Sequence, residues 1–264
     1  MEFRADLHCH TTCSDGTLSP AELIDHAKKI GLSALSITDH DTTAAYPQAL
    51  ESARNAGIEM IAGIEFSCVW EGHSVHILGY GFDPAHATLQ NLCLWHQNRR
   101  KKRYHKMLEL LAQHGMPLEA EQRPLLGRPH IAQAMVDKGY VDSIQEAFHK
   151  WIGENKPCFN REEWKSVEES IAVIHEAGGL AIIAHPHLIK NSHVLQALLQ
   201  MPFDGIECYY ARFPTKKNAM FLKIAKKKGW KITGGSDFHG SVKPKNPLGS
   251  SWVSRQLFEA LHKR

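Results

Sequence analysis

Short apolar runs alternate with amphipathic stretches in both the first and the last part of this chain, and polar residues able to do chemistry repeatedly follow the apolar runs. Residues 3–7 read as a strand that leads into Asp6-Leu7-His8-Cys9-His10. Residues 17–23 have the form of a helix start: Ser19 caps, Pro20 takes the first turn, and Glu22 stands three residues after the cap. That helix runs to about Lys29 and stops near Gly31. Residues 34–38 form a short buried strand ending in Thr38-Asp39-His40-Asp41, residues 44–55 a helix, and residues 59–64 a strand ending in Glu65. Residues 75–80 are a fourth strand, with His76 near its start rather than its end, so this strand runs in its own sense.

The same rhythm returns late in the chain. A helix over 167–176 precedes a strand over 180–184 that ends in His185-Pro186, and a helix over 192–200 precedes a strand over 205–209. A helix over 216–228 leads to the strand 230–233, which ends in Gly234-Gly235-Ser236-Asp237-Phe238-His239. Such alternation predicts an α/β fold, a parallel sheet or barrel with functional groups at the C-terminal ends of its strands. Between these halves the texture is helical. A long pattern over 95–114 carries Arg99-Arg100-Lys101-Lys102-Arg103, read as a solvated basic face, and further helices end near Lys138 and span 144–151. With no strand evident over 82–157, residues 90–165 are expected to form an inserted helical cap in a body made of 1–89 and 166–264.

Composition narrows the class. A length of 264 residues suits one large domain with an insertion, and a net charge of +3 gives no reason to expect a stable DNA complex. The opening Met-Glu-Phe-Arg-Ala-Asp lacks an apolar signal segment and no run approaches a membrane span. Six cysteines without repeated spacing fit a reduced, cytoplasmic setting with thiols packed as small hydrophobes. The 18 histidines are the unusual number: either the protein binds metal or it carries many surface histidines.

Side chains two apart on a strand share a face, so His8 and His10 can aim two imidazoles at one point while Cys9 turns away. Asp237 and His239 repeat that spacing. Together with Asp15, His40, Glu65, His76 and His185 they make nine candidate ligands, too many for one ion and suited to two or three. A carboxylate such as Glu65 can bridge neighbouring ions. Asp39 is read as serving local structure.

These motifs, His8-Cys9-His10 with Asp15-Gly16, Thr38-Asp39-His40, Gly63-Ile64-Glu65, Ala184-His185-Pro186 and Ser236-Asp237-Phe238-His239, resemble the PHP (polymerase and histidinol phosphatase) family along the whole chain. The resemblance implies a distorted (β/α)7 barrel, a centre of two or three divalent ions (Mn2+ first, Zn2+ or Fe2+ as alternatives) and phosphoester hydrolysis. By position, one ion would take His8, His10, Glu65 and Asp237, a second Glu65, His76 and His185, a third Asp15, His40 and His239. Gly127-Arg128-Pro129-His130-Ile131-Ala132 in the cap is similar to bacterial members that remove the 3′-phosphate of nucleoside 3′,5′-bisphosphates, close relatives of which trim short RNA from its 5′ end. The implied partner is a small phosphorylated substrate, a nucleotide or short RNA. Departures stand beside this likeness: His187-Leu188-Ile189 follows Ala184-His185-Pro186 where those members usually have Arg-Tyr, and Cys208-Tyr209-Tyr210-Ala211-Arg212 follows Glu207. A histidinol-phosphate-type phosphatase, a metal-binding module without turnover and an amidohydrolase-like enzyme acting on C–N bonds are the alternatives.

Expected roles follow. Asp237 steers the proton of the attacking water, and His187 or His239 protonates the leaving oxygen. Arg128, with a planar fork suited to bidentate binding, grips a second phosphate; His130 and Arg212 are further substrate-binding candidates.

Overall fold

A computed structural model describes residues 2–121, 125–160, 165–211, 213 and 215–262. They divide into two units, Met1–Cys93 with Trp164–Arg264, and Leu94–Glu163. The first unit is mixed α/β. Its strands are β1 (Ala5–Cys9), β2 (Ala34–Ile37), β3 (Glu59–Met60), β4 (Gly63–Trp70), β5 (His73–Tyr80), β6 (Leu180–Ile183), β7 (Gly205–Tyr210) and β8 (Lys231–Gly235). β1, β2 and β3 form one parallel sheet. The other runs β4-β5-β6-β7-β8, antiparallel on both sides of β5 and parallel thereafter. Two open sheets thus stand where the alternation pattern allows one parallel sheet or barrel. Isolated bridges between His40 and Glu65 and between Cys9 and Phe238 link them.

The single strand expected over 59–64 is two. The chain leaves the first sheet after Met60 and enters the second at Gly63, and the Tyr46 hydroxyl staples the crossing, accepting from the Gly63 amide and reaching the Ile37 carbonyl at 2.8 Å. Glu65 therefore lies inside β4 and not at a strand end. β5 runs antiparallel to β4, the different sense expected of it, but it begins at His73, so His76, opposite Ser67, lies in mid-strand and not near the start.

Helices α1 (Pro20–Lys29) and α2 (Tyr46–Ala56) pack against β1 and β2 through Leu23, Ile24, Ala49 and Ala53. The expected capping box closes α1: Ser19 Oγ accepts from the Glu22 amide (3.3 Å) and Glu22 accepts from the Ser19 amide (2.8 Å). Helix α3 (Ala87–Gln113) begins in the first unit and continues in the second. The second unit also holds α4 (Arg128–Asp137) and α5 (Ile144–Ala147), the latter running into a π-helical turn, Phe148–Ile152. Its own core is built by Met107, Leu111, Ile131, Met135 and Ile152. Back in the first unit, α6 (Val167–Glu176), α7 (Ser192–Leu198), α8 (Thr215–Lys228) and α9 (Arg255–Glu259) complete the body, with Ile171, Ile174, Leu198 and Phe221 covering Phe66, Ile77, Ile183 and Ile206.

The basic stretch of α3 departs from its expected solvated face. Arg99, Arg100 and Arg103 are buried while Lys101 and Lys102 are exposed. Arginine stems bury readily, and helical spacing carries the Arg99 guanidinium over the ring of Trp95 at 5.9 Å. Among the described residues no helix is long and apolar enough to cross a membrane.

Candidate metal centre

Strand β1 delivers the first ligands. Cys9 packs into the core beneath α1 and donates its thiol to the Ser36 carbonyl (3.1 Å), while His8 and His10 point the other way. They meet Glu65 from β4, Asp237 and His239 just beyond β8, His40 just beyond β2, His76 on β5, His185 just beyond β6 and Asp15 from the loop after β1. All nine predicted ligand residues thus converge.

Three groups have donor atoms within 4.8 Å of one another: His8, His10, Glu65 and Asp237; His10, Asp15, His40 and His239; and His40, Glu65 and His76. Glu65 divides its carboxylate between two sides. Its Oε2 faces His8 Nε2 (3.3 Å), His10 Nε2 (3.2 Å) and His40 Nδ1 (3.2 Å); its Oε1 faces His76 Nδ1 (2.9 Å) and His185 Nε2 (2.8 Å). His10 and His40 each border two groups through their two ring nitrogens.

The donor set suits borderline divalent ions. Among the described residues, His8 Nε2, both nitrogens of His10, His40 Nδ1 and His239 Nε2 are buried without a hydrogen-bond partner. A buried polar atom left so is costly. Atoms bound to one ion at about 2.1 Å stand about 3.0–3.4 Å apart. The nitrogen–oxygen separations around Glu65 Oε2 match that spacing, so the residues present fit bound ions.

A second layer fixes ring orientation. His8 Nδ1 donates to Glu207 Oε1 (2.9 Å), leaving Nε2 to face the centre, and the other Glu207 oxygen accepts from the His185 amide (2.6 Å). His239 Nδ1 donates to the Asp237 carbonyl (2.9 Å), which leaves Nε2 facing Asp15 at 3.3 Å. Asp39 accepts from the Thr11 amide (2.7 Å) and hydroxyl (2.6 Å) and from Ser14 (2.5 Å), and so shapes the loop that carries Asp15. Asp6 accepts from the amides of His8, Ser236 and Gly249 and ties β1 to β8; burial pushes its carboxyl up to about 6 against those bonds. Gly235 makes the close approach possible, since a Cβ there would collide with the backbone nitrogen of His8. His185 (φ 25°) and Asp237 (φ 52°) lie in the left-handed region, a strain of order 1–3 kcal/mol each that the surrounding contacts must hold.

The centre demands positive charge. Burial works to raise the carboxyls of Glu65, Asp15 and Asp237, yet neighbouring histidines, with Lys243 at Asp237, hold all three well below the usual range. Burial opposes protonation of His10, but Asp237, Glu65 and Asp15 raise it to about 9, and Glu207, Glu65 and Asp237 likewise lift His8. Burial together with other histidines depresses His40. Divalent cations would compete with those protons for the same nitrogens.

His187 stands one ring away from this cluster. It stacks on Phe213 (5.1 Å) and Tyr210 (5.9 Å), its Nε2 bonds the Asn218 amide oxygen (3.1 Å), and burial holds its pKa below the ordinary value. Arg128 and His130 belong to the second unit. The Arg128 guanidinium lies over Phe148 (5.6 Å) and Phe159 (5.4 Å), and His130 Nδ1 accepts from the Gly127 amide at the start of α4 (3.0 Å). Arg212 lies outside the described residues. Sequence reasoning missed Glu207, Tyr210 and Lys243. A glutamate inside the buried run Gly205-Ile206-Glu207-Cys208 was the available signal for the first, because buried glutamates need partners. Tyr210 donates to Asp237 Oδ2 (2.6 Å) and Lys243 Nζ reaches the same oxygen (2.9 Å).

Comparison with known proteins adds four findings. The family model described as the PHP domain matches residues 6–184. The chain is 35% identical over 249 residues to a 5′-3′ exoribonuclease of Haemophilus influenzae, covering 90% of this chain and 91% of that protein. It is 33% identical over 253 residues to the 3′,5′-nucleoside bisphosphate phosphatase of Chromobacterium violaceum, covering 89% and 86%. The crystal structure of a Bifidobacterium adolescentis protein, provisionally assigned as a metal-dependent phosphoesterase, superposes with a TM-score of 0.86 at 31% identity over 97% of this chain and 94% of that one.

Proposed function

The chain belongs to the PHP domain family, and from that premise we propose that it is a metal-dependent phosphoesterase that removes the 3′-phosphate of nucleoside 3′,5′-bisphosphates and trims short RNA from the 5′ end. The observation that carries the reading is the divided carboxylate of Glu65, one oxygen toward His8, His10 and His40 and the other toward His76 and His185. A carboxylate shared in this way suits adjacent ions in phosphoester hydrolysis. The relatives named for nucleotide and RNA hydrolysis support the substrate class.

Two or three divalent ions, Mn2+ first, are assigned to the nine ligands. When bound, such ions lower the pKa of water toward neutrality and neutralise charge on phosphoryl oxygens. Asp237 accepts the proton of the attacking water. His239, with Nδ1 held by the Asp237 carbonyl, keeps Nε2 directed into the centre; His187, or His239 when its Nε2 holds no ion, supplies the proton to the leaving oxygen. Arg128 is assigned to the phosphate that is not cleaved; its guanidinium lies near the rings of Phe148 (5.6 Å) and Phe159 (5.4 Å), and its planar fork suits bidentate binding. We read the two linked sheets as the family's distorted (β/α)7 barrel. A cytoplasmic setting is supported by six free cysteines.

The test is a Mn2+-supplemented screen of phosphoesters with a nucleoside 3′,5′-bisphosphate, histidinol phosphate, short RNA and an amide substrate. Phosphate release from the bisphosphate is expected, and turnover of the amide alone would overturn the reading. Arg128→Ala should lower kcat/KM for the bisphosphate by about 2–4 kcal/mol and affect a monophosphate far less. Equal loss on both substrates would remove Arg128 from phosphate recognition.

A further inference from the structure

Lys243 is the one lysine or arginine, among the described residues, in an ion pair with any of the nine ligand residues. It follows the short 3-10 turn Gly240–Val242, and its Nζ stands 2.9 Å from Asp237 Oδ2. The two oxygens of Asp237 have different surroundings. Oδ1 faces His8 Nε2 (3.6 Å), His10 Nε2 (3.5 Å) and His239 Nδ1 (3.4 Å), while Oδ2 takes Tyr210 and Lys243. Tyr210, at 2.6 Å and itself contacted by Asn246, already fixes the carboxylate, so orientation of Asp237 does not call for a second donor.

Exposure separates Lys243 from its neighbours. Its side chain is 40% exposed whereas that of Asp237 is 2% exposed. An ammonium has three donors. Asp237 uses one, and it is the only hydrogen-bond partner of Lys243 among the described residues. The cation thus stands at the solvent edge of a buried ligand cluster, one carboxylate away from the point of convergence, with two N–H groups to offer. We propose that Lys243 is a specificity-determining residue that receives the non-bridging oxygens of the substrate's phosphoryl group, with Asp237 setting its position. Lysine suits this task as a point charge without fixed geometry. The inference rests on the phosphoester reading, since the anionic phosphoryl group is what the cation would recognise.

Binding of inorganic phosphate to Mn2+-reconstituted full-length protein, followed by calorimetry, tests it. Lys243→Met and Lys243→Gln should each weaken phosphate binding at least tenfold at unchanged metal content by elemental analysis, and Lys243→Arg should stay within about threefold of wild type. In turnover, the loss should fall on KM more than on kcat. Unaltered phosphate binding in the uncharged variants, or metal lost together with phosphate, overturns the role, as does wild-type protein that binds no phosphate. Wild-type protein that binds phosphate but hydrolyses no phosphoester would sink the functional reading, while the result for Lys243 would still stand.

Discussion

At Glu207 one buried carboxylate serves two ligand residues, accepting from His8 Nδ1 through one oxygen and from the His185 amide through the other. Glu207→Gln keeps the shape but turns an N–H donor toward one of those donors. The variant should lose roughly 10–100-fold in metal affinity or activity, the usual effect of removing such a partner. A Mn2+ titration checks this, and unchanged affinity together with unchanged turnover would show that His8 holds its ring without help. The ligands were legible in the sequence because residue type and position agreed: imidazoles and carboxylates follow apolar runs, and a spacing of two on β1 decides which side chains share a face. Glu207 lies inside such a run, where its apolar neighbours give it the pattern of an ordinary strand residue. Tyr210 and Lys243 carried no local signal, because their shared partner Asp237 is distant in sequence or across a turn.

The contact between β1 and β8 shows the same lesson for elements. Gly235 lies against His8 so closely that any Cβ would strike the His8 backbone nitrogen. Gly235→Ala should cost about 1–3 kcal/mol in stability, the range for overpacking, and reduce metal content because His8 is displaced with its strand. Gly57→Ala is the control: its left-handed φ of 71° carries a cost of about 1 kcal/mol, but nothing lies within 4 Å of the added carbon, so metal content should hold. Chemical denaturation with elemental analysis separates the two, and equal metal content in both variants would contradict the account. Alternating strands and helices, the cap of α1 and the helical middle of the chain could all be read in advance from periodicity. Strand direction could not be read from periodicity, since a period of two is the same forwards and backwards; the different sense of β5 was signalled by His76 alone, and the break between β3 and β4 emerged only with the structure.

For the molecule as a whole, the buried imidazole nitrogens without partners imply that ions contribute to stability. Mn2+ at a hundred times its dissociation constant should add about 2.7 kcal/mol per independent site, and chelation should lower Tm accordingly. Coincident melting curves with Mn2+ and with EDTA would rule out a structural contribution. The candidate ligands begin at His8 and end at His239, and the two groups that contain His8 or His239 draw on both extremes of that span. Neither group can therefore exist before the chain has been made through Asp237 for the one and His239 for the other. Metal loading of these two groups is then a late event in folding, and an ion held in either reports that the chain next to β1 and the chain beyond β8 have come together. Chains cut short before β8 would lack Asp237 and His239, so both of these groups would be incomplete while His40, Glu65 and His76 remained, and their metal content should be lower.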